Sequence, residues 1–146
     1  MGASTEGTQK MKILVPIDNS KGSHTALSAA KRLAKELRSA HIILLSVSEQ
    51  PETPELAREE EETMQHLLRA AEAELDGVPV RHRTSKAGDP ARGIADAARD
   101  EQADLIVMAT HGRTPISALA RGSVAEDVVR SGVAPVTLVC WGENGR

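Results

Sequence analysis

Short, nearly unbroken apolar runs alternate along the chain with longer stretches in which apolar positions recur every three or four residues. Met11 to Ile17, His41 to Val47, Leu105 to Met108 and Pro135 to Cys140 are runs of the first kind. Their length and continuity predict strands buried on both faces. Val78 to Ser85 also reads as a strand, but His82, Arg83 and Thr84 make it more polar, which fits the edge of a sheet. Between the runs, helical spacing places Ala26, Ala29, Ala30, Leu33 and Leu37 on one stripe of a helix from about Ser20 to Leu37. Met64, Leu67, Leu68, Ala71 and Leu75 form the stripe of a second helix over residues 54–76, closed by Gly77. Asp89 followed by Pro90 is a cap and a first helical residue, opening a third helix that runs to about Glu101. A fourth covers residues 123–132. Five strands alternating with four helices predict an α/β domain, with a parallel sheet covered on both faces by right-handed crossovers. Residues 1–10 read as a disordered extension, 11–141 as the domain and 142–146 as a tail.

The densest chemistry lies in residues 104–124. The apolar run ends in Ala109-Thr110-His111-Gly112-Arg113, and the segment closes on Gly122-Ser123-Val124. Ser123 and Glu126 have the spacing of a capping box. A strand, a glycine-containing loop and a fresh helix N-terminus offer backbone N–H groups and a dipole that favour an anion, phosphate above all. Glycines at 112 and 122 leave room for close approach of a ligand. Ser123 can cap the helix or donate to a phosphate oxygen.

Composition narrows the partners. In 146 residues with a net charge of −3, nothing favours nucleic acid or an anionic membrane. The chain has no Phe, no Tyr and one Trp, so no aromatic platform exists for unpaired bases, and the core must be aliphatic. No apolar run approaches the roughly 18 residues that a membrane span needs. The single cysteine, Cys140, excludes an internal disulfide, fits a reducing compartment and reads as a small core residue. The expectation is a soluble, cytoplasmic protein.

Neither a G-x-x-x-x-G-K-[ST] loop nor a G-x-G-x-x-G turn is present, and the five histidines lack metal-ligand spacing. Glu59 to Glu62 read as a solvated helix face near an N-terminus. In a doubly wound sheet, ligands sit beyond the carboxyl ends of the strands where the strand order reverses. The first and fourth strands are the candidates to flank that point. Asp18, at the end of the first, is placed to accept from a ribose hydroxyl or a base amino group, or to form an Asx turn.

The strand-one sequence Val15-Pro16-Ile17-Asp18, with the segment from Met108 to Glu126, resembles the universal stress protein family, specifically its nucleotide-binding branch. That branch has the loop pattern G-x2-G-x9-G-[ST]. Here it reads Ala109, Thr110-His111, Gly112, nine residues from Arg113 to Arg121, then Gly122-Ser123. Ala109 stands where the first glycine belongs, adding a methyl at the nucleotide. The resemblance runs from Met11 to about Cys140. It implies strand order 3-2-1-4-5 and ATP between strands one and four. Pro16, Ile17 and Asp18 would meet adenine and ribose, with Val47 packing on the adenine. Met108 and Ala109 would line the ribose side, while Gly112, Gly122, Ser123 and Val124 serve the phosphates and Arg113 lends charge. A Mg or Mn ion accompanying ATP would be held mainly by its phosphates. The implied function is an ATP-binding stress-response or regulatory protein with little or no hydrolysis, for no general base is evident beyond Asp18. The alternative is a nucleotide-free dimeric scaffold acting through protein contacts. Strand five (Pro135 to Cys140), uncharged from Val133 to Trp141, suits pairing with a second copy in a homodimer.

Overall fold

A computed structural model of the chain describes residues 10–18, 21–48, 51–111 and 124–141. The elements are β1 (Met11–Pro16), α1 (Lys21–Leu37), β2 (Ala40–Ser48), α2 (Pro54–Glu74), β3 (Val80–Lys86), α3 (Pro90–Glu101), β4 (Leu105–His111), α4 (Val124–Ser131) and β5 (Val136–Trp141). The five strands form one parallel sheet in the order β3-β2-β1-β4-β5. This is the α/β, doubly wound arrangement expected from the sequence.

Alternation along the strands divides the core into two layers. Ile13, Val15, Ile17, Ile42, Leu44 and Val107 face α1 and α2, meeting Ala26, Leu27, Ala30, Leu68 and Ala71. Leu14, Ile43, Leu45, Ile106 and Met108 face α3 and α4, meeting Ala91, Ile94, Ala97, Ala98, Ala125 and Val128. The helix faces are rich in alanine, so their backbones lie close to the sheet. No aromatic ring is needed to fill the space.

Local signals account for the boundaries. Thr53 accepts the Leu56 N–H at the start of α2, and Asp89 accepts the Ala91 N–H at the start of α3, each followed by proline at the first turn. Gly77, at φ +86°, turns the chain after α2. Val78 still bonds back to Leu75, so β3 begins at Val80 rather than Val78. β3 is indeed an edge strand. Its Arg83 reaches Glu101 at 3.2 Å and Asp100 at 3.0 Å, and Arg81 also pairs with Glu101, tying the edge to the end of α3.

Two expectations about packing need correction. Leu37 is 43% exposed rather than part of the buried stripe, because it ends α1 just before the chain turns at Arg38 (φ +58°). Cys140 is exposed rather than a core residue, because β5 is the other edge of the sheet. The expected extension and tail fall almost wholly at residues 1–9 and 142–146, outside the described residues.

Candidate functional site

The strand order reverses between β1 and β4, and the two strands are joined only at their amino ends. Ile13 pairs with Leu105 and Leu14 with Ile106, and the ladder between them stops there. Below those pairs, Asp104 accepts the Lys12 N–H at 2.8 Å through Oδ2 and donates its own N–H to the Lys12 carbonyl, also at 2.8 Å. Pro16 has no N–H to carry a ladder onward. β1 keeps its partnership with β2 to the end, through Pro16 opposite Leu45 and the Ile17 N–H on the Leu45 carbonyl. β4 instead runs on beside β5 as far as His111 opposite Trp141.

β1 is therefore a short central strand with longer neighbours. Ser46, Val47 and Ser48 continue past its end on one side. Counting on from Leu14 opposite Ile106 brings Pro16 level with Met108, so Ala109, Thr110 and His111 continue past it on the other. A crevice at the switch point follows from the strand lengths, the usual ligand position in this architecture.

Seven of the residues singled out in the sequence lie in the described segments, at the carboxyl ends of β1, β2 and β4 and at the start of α4. Pro16 is half-buried and Ile17 buried. Asp18 is exposed, but it is held. Its N–H donates to Ser23 Oγ at 2.8 Å, and that hydroxyl donates to Asp18 Oδ1 at 3.0 Å. The carboxylate is thus held at the end of β1 by a side chain in the first turn of α1, through a hydroxyl rather than the backbone N–H of an Asx turn. Val47 is half-buried on the α3 side of the sheet. Met108 is 7% exposed in the layer facing α3 and α4, and Ala109 packs against the opposite layer. Val124 opens α4, whose Ala125 and Val128 share the Met108 layer. Gly112, Arg113, Gly122 and Ser123 lie outside the described residues, so the glycine loop and the capping box are not placed here.

Two residues that sequence reading passed over also build this region. Ser23, five positions after Asp18, is the partner of its carboxylate. Gly93, in the interior of α3, lies against Val47: a Cβ there would meet Val47 Cγ1 at 2.9 Å and the Ala87 Cβ at 3.1 Å. The available signal was a glycine interrupting an otherwise good helical sequence. Among the described residues no group of three or more His, Cys, Asp or Glu side chains is arranged to hold a metal ion, and no helix is long and apolar enough to cross a membrane.

A parallel sheet in this order, reversing beside a short first strand, defines a doubly wound α/β architecture. Residues 10–139 match the model of the universal stress protein family, and the chain belongs to that family. It is 33% identical over 140 residues to universal stress protein MJ0531 of Methanocaldococcus jannaschii, covering 88% of this chain and 81% of that one. Among solved structures it is similar to hypothetical protein MJ0577, with a TM-score of 0.75, 31% identity, and coverage of 88% and 94%. The universal stress protein of Archaeoglobus fulgidus in complex with dAMP shares the fold, with a TM-score of 0.61 and 24% identity over 89% of this chain and 96% of that one.

Proposed function

We propose that this protein binds an adenine nucleotide, ATP in the first instance, in the crevice between the ends of β1 and β4, and serves as a stress-response regulatory module in the cytoplasm. One observation carries the reading: β1 stops while β2 and β4 run on, and Asp18 is pinned by Ser23 at the mouth so formed. The residues present suit the guest. Val47 and Met108 share one face of the sheet and offer an aliphatic surface for a base, with Pro16 and Ile17 at the adjoining strand end and Asp18 proposed to accept from a ribose hydroxyl. The family match and the relative solved with dAMP support an adenine nucleotide as the class of ligand. Gly112, Gly122, Ser123 and Val124 are proposed for the phosphates and Arg113 for added charge, on the loop spacing in the sequence. Mg or Mn would arrive with the phosphates.

Hydrolysis is expected to be slow or absent, since positioning without a placed base gives little acceleration. The same reading has two copies joined through β5.

Isothermal calorimetry of the full chain with ATP, ADP and AMP, together with mass spectrometry of undialysed protein for co-purifying nucleotide, tests the proposal. Saturable binding of any of the three supports it. No heat and no nucleotide would leave the scaffold reading, in which the protein acts through its contacts alone. An ATP turnover of about one per second or faster, within the ordinary range for enzymes, would make it a catalyst instead.

A further inference from the structure

Glycine in a helix interior is about 1 kcal/mol less favourable than alanine, so Gly93 within α3 calls for a reason. Its neighbours supply one. Gly88, at the approach to the same helix, has nothing within 4 Å of where a Cβ would lie, whereas a Cβ on Gly93 would stand 2.9 Å from Val47 Cγ1. That distance is closer than side chains tolerate. Val47 has little freedom to yield. Its backbone is paired opposite Ser85 in β3, and the Ala87 Cβ lies 3.1 Å from the same virtual atom. Ala87 is itself fixed through its N–H on the Ser48 carbonyl at 2.9 Å. As a β-branched residue, Val47 is also stiff about χ1. Val47 is half-buried and lies two residues beyond Leu45, the partner of the last β1 residue, and so beside the crevice.

We propose that Gly93 is a positioning residue for the nucleotide site: by letting α3 close onto Val47, it sets how far that valine stands into the crevice and therefore how deeply an adenine can seat. This rests on the adenine-nucleotide reading above. Gly93 touches no ligand in this account; it acts through Val47. A methyl at position 93 displaces Val47 towards the base, so the loss of affinity is the same for AMP, ADP and ATP, because the phosphates lie away from it. Shortening Val47 returns the space.

The experiment is calorimetry with AMP, ADP and ATP on the full-length wild type, Gly93→Ala, Val47→Ala and the double variant, with thermal unfolding of each. Binding to Gly93→Ala about tenfold weaker for every nucleotide that the wild type binds, with recovery towards the Val47→Ala value in the double variant, is the expected result. Equal affinity of Gly93→Ala and wild type overturns the inference and leaves the site intact. A loss that Val47→Ala does not relieve, or one that grows with the number of phosphates, overturns it as well and makes Gly93 a packing residue only. If Gly93→Ala does not fold, the affinities of Val47→Ala and of the double variant decide. A wild-type value for Val47→Ala would show that Val47 does not touch the base and overturns the inference, whereas a changed one, uniform across the three nucleotides, carries the proposal only with a folded double variant that binds like Val47→Ala. Absence of binding by the wild type removes the nucleotide reading itself, a result distinct from failure of the variant alone.

Discussion

Asp104 and Lys12 close the amino end of the site: the Asp104 carboxylate accepts the Lys12 N–H while the Asp104 N–H donates to the Lys12 carbonyl, both at 2.8 Å. Lys12 Nζ also reaches the Glu101 carbonyl at 3.1 Å. β1 and β4 are thus fastened at one end and free to diverge at the other, and the crevice depends on that asymmetry. Asp104→Ala leaves the Lys12 N–H without its acceptor. A loss of about 1 kcal/mol is expected, since the pair is exposed and water replaces part of the bond. Urea unfolding measures it. An unchanged midpoint would show that the clasp contributes nothing.

Asp18 and Ser23 make a second checkable pair. Ser23 is nearly buried, and its hydroxyl both accepts the Asp18 N–H and donates to the Asp18 carboxylate. Ser23→Ala should cost about 1–2 kcal/mol of stability, by stranding a donor and loosening a cap-like turn. It should also weaken nucleotide binding, because Asp18 is no longer held. Asp18→Ala should weaken binding by about tenfold or more if its carboxylate accepts from the ribose. Affinity for a 2′,3′-dideoxy nucleotide should then be unaffected by the substitution. Equal losses for both ligands would assign Asp18 to the turn alone.

His41 gives the fold a predictable acid limb. Its pKa lies below the ordinary 6.5, first because of burial and then because of the positive charges of Arg81, Lys10 and Lys12, with Asp104 opposing them. Its Nδ1 is buried without a hydrogen-bond partner. The folded protein therefore takes up this proton less readily than the unfolded chain. His41 has no titration effect above 6.5, and stability falls as pH drops below 6.5 through the lowered folded value. His41→Gln should flatten the decline of stability below 6.5 in denaturant titrations at a series of pH values. Parallel curves for the two proteins would show that His41 does not drive it.

What the sequence could and could not reveal follows from the range of each signal. Strand runs and alanine-rich stripes are local patterns repeated over several residues, so β2, α2 and the polar edge β3 were readable. The proline-first helix starts at Pro54 and Pro90 were equally local. The order β3-β2-β1-β4-β5 came from resemblance rather than from periodicity, which does not specify neighbours. Leu37 and Cys140 were misjudged because apolar character fixes a face of an element, not whether a neighbour covers that face. Ser23 and Gly93 escaped notice for a related reason. Their roles lie in one contact each, with Asp18 and Val47, and a single contact has no period.

Ala109 occupies the first glycine position of the loop pattern, at the point where β4 has left β1. It packs on the layer containing α1, so its methyl is part of the core as well as near the crevice. Ala109→Gly should therefore have opposed effects. Nucleotide affinity should be equal or better with the methyl gone, while stability falls by about 0.5–1 kcal/mol from the added backbone freedom of glycine. Calorimetry and thermal unfolding on the same preparation separate the two. A clear loss of affinity would mean that the methyl touches the nucleotide favourably.

Among the described residues, β5 presents an edge without charged side chains to protect it. No charged residue stands between Val133 and Trp141, and Leu138 is 38% exposed beside exposed Thr137 and Cys140. Val129 of α4, the helix before it, is 47% exposed. The opposite edge, β3, shows the usual protection, with Arg81, Arg83 and Lys86 along the strand. The contrast within one sheet argues that β5 is kept apolar for a purpose, and a second copy related by a two-fold axis would pair with it antiparallel. Val139 packs on the core and is a poor position to probe, whereas Thr137 and Leu138 can change without disturbing it. Thr137→Lys with Leu138→Lys places like charges face to face across the proposed axis. Sedimentation at micromolar concentration should show a dimer for the wild type and a folded monomer for the variant. A monomeric wild type would remove the dimer and leave the exposed strand for another partner.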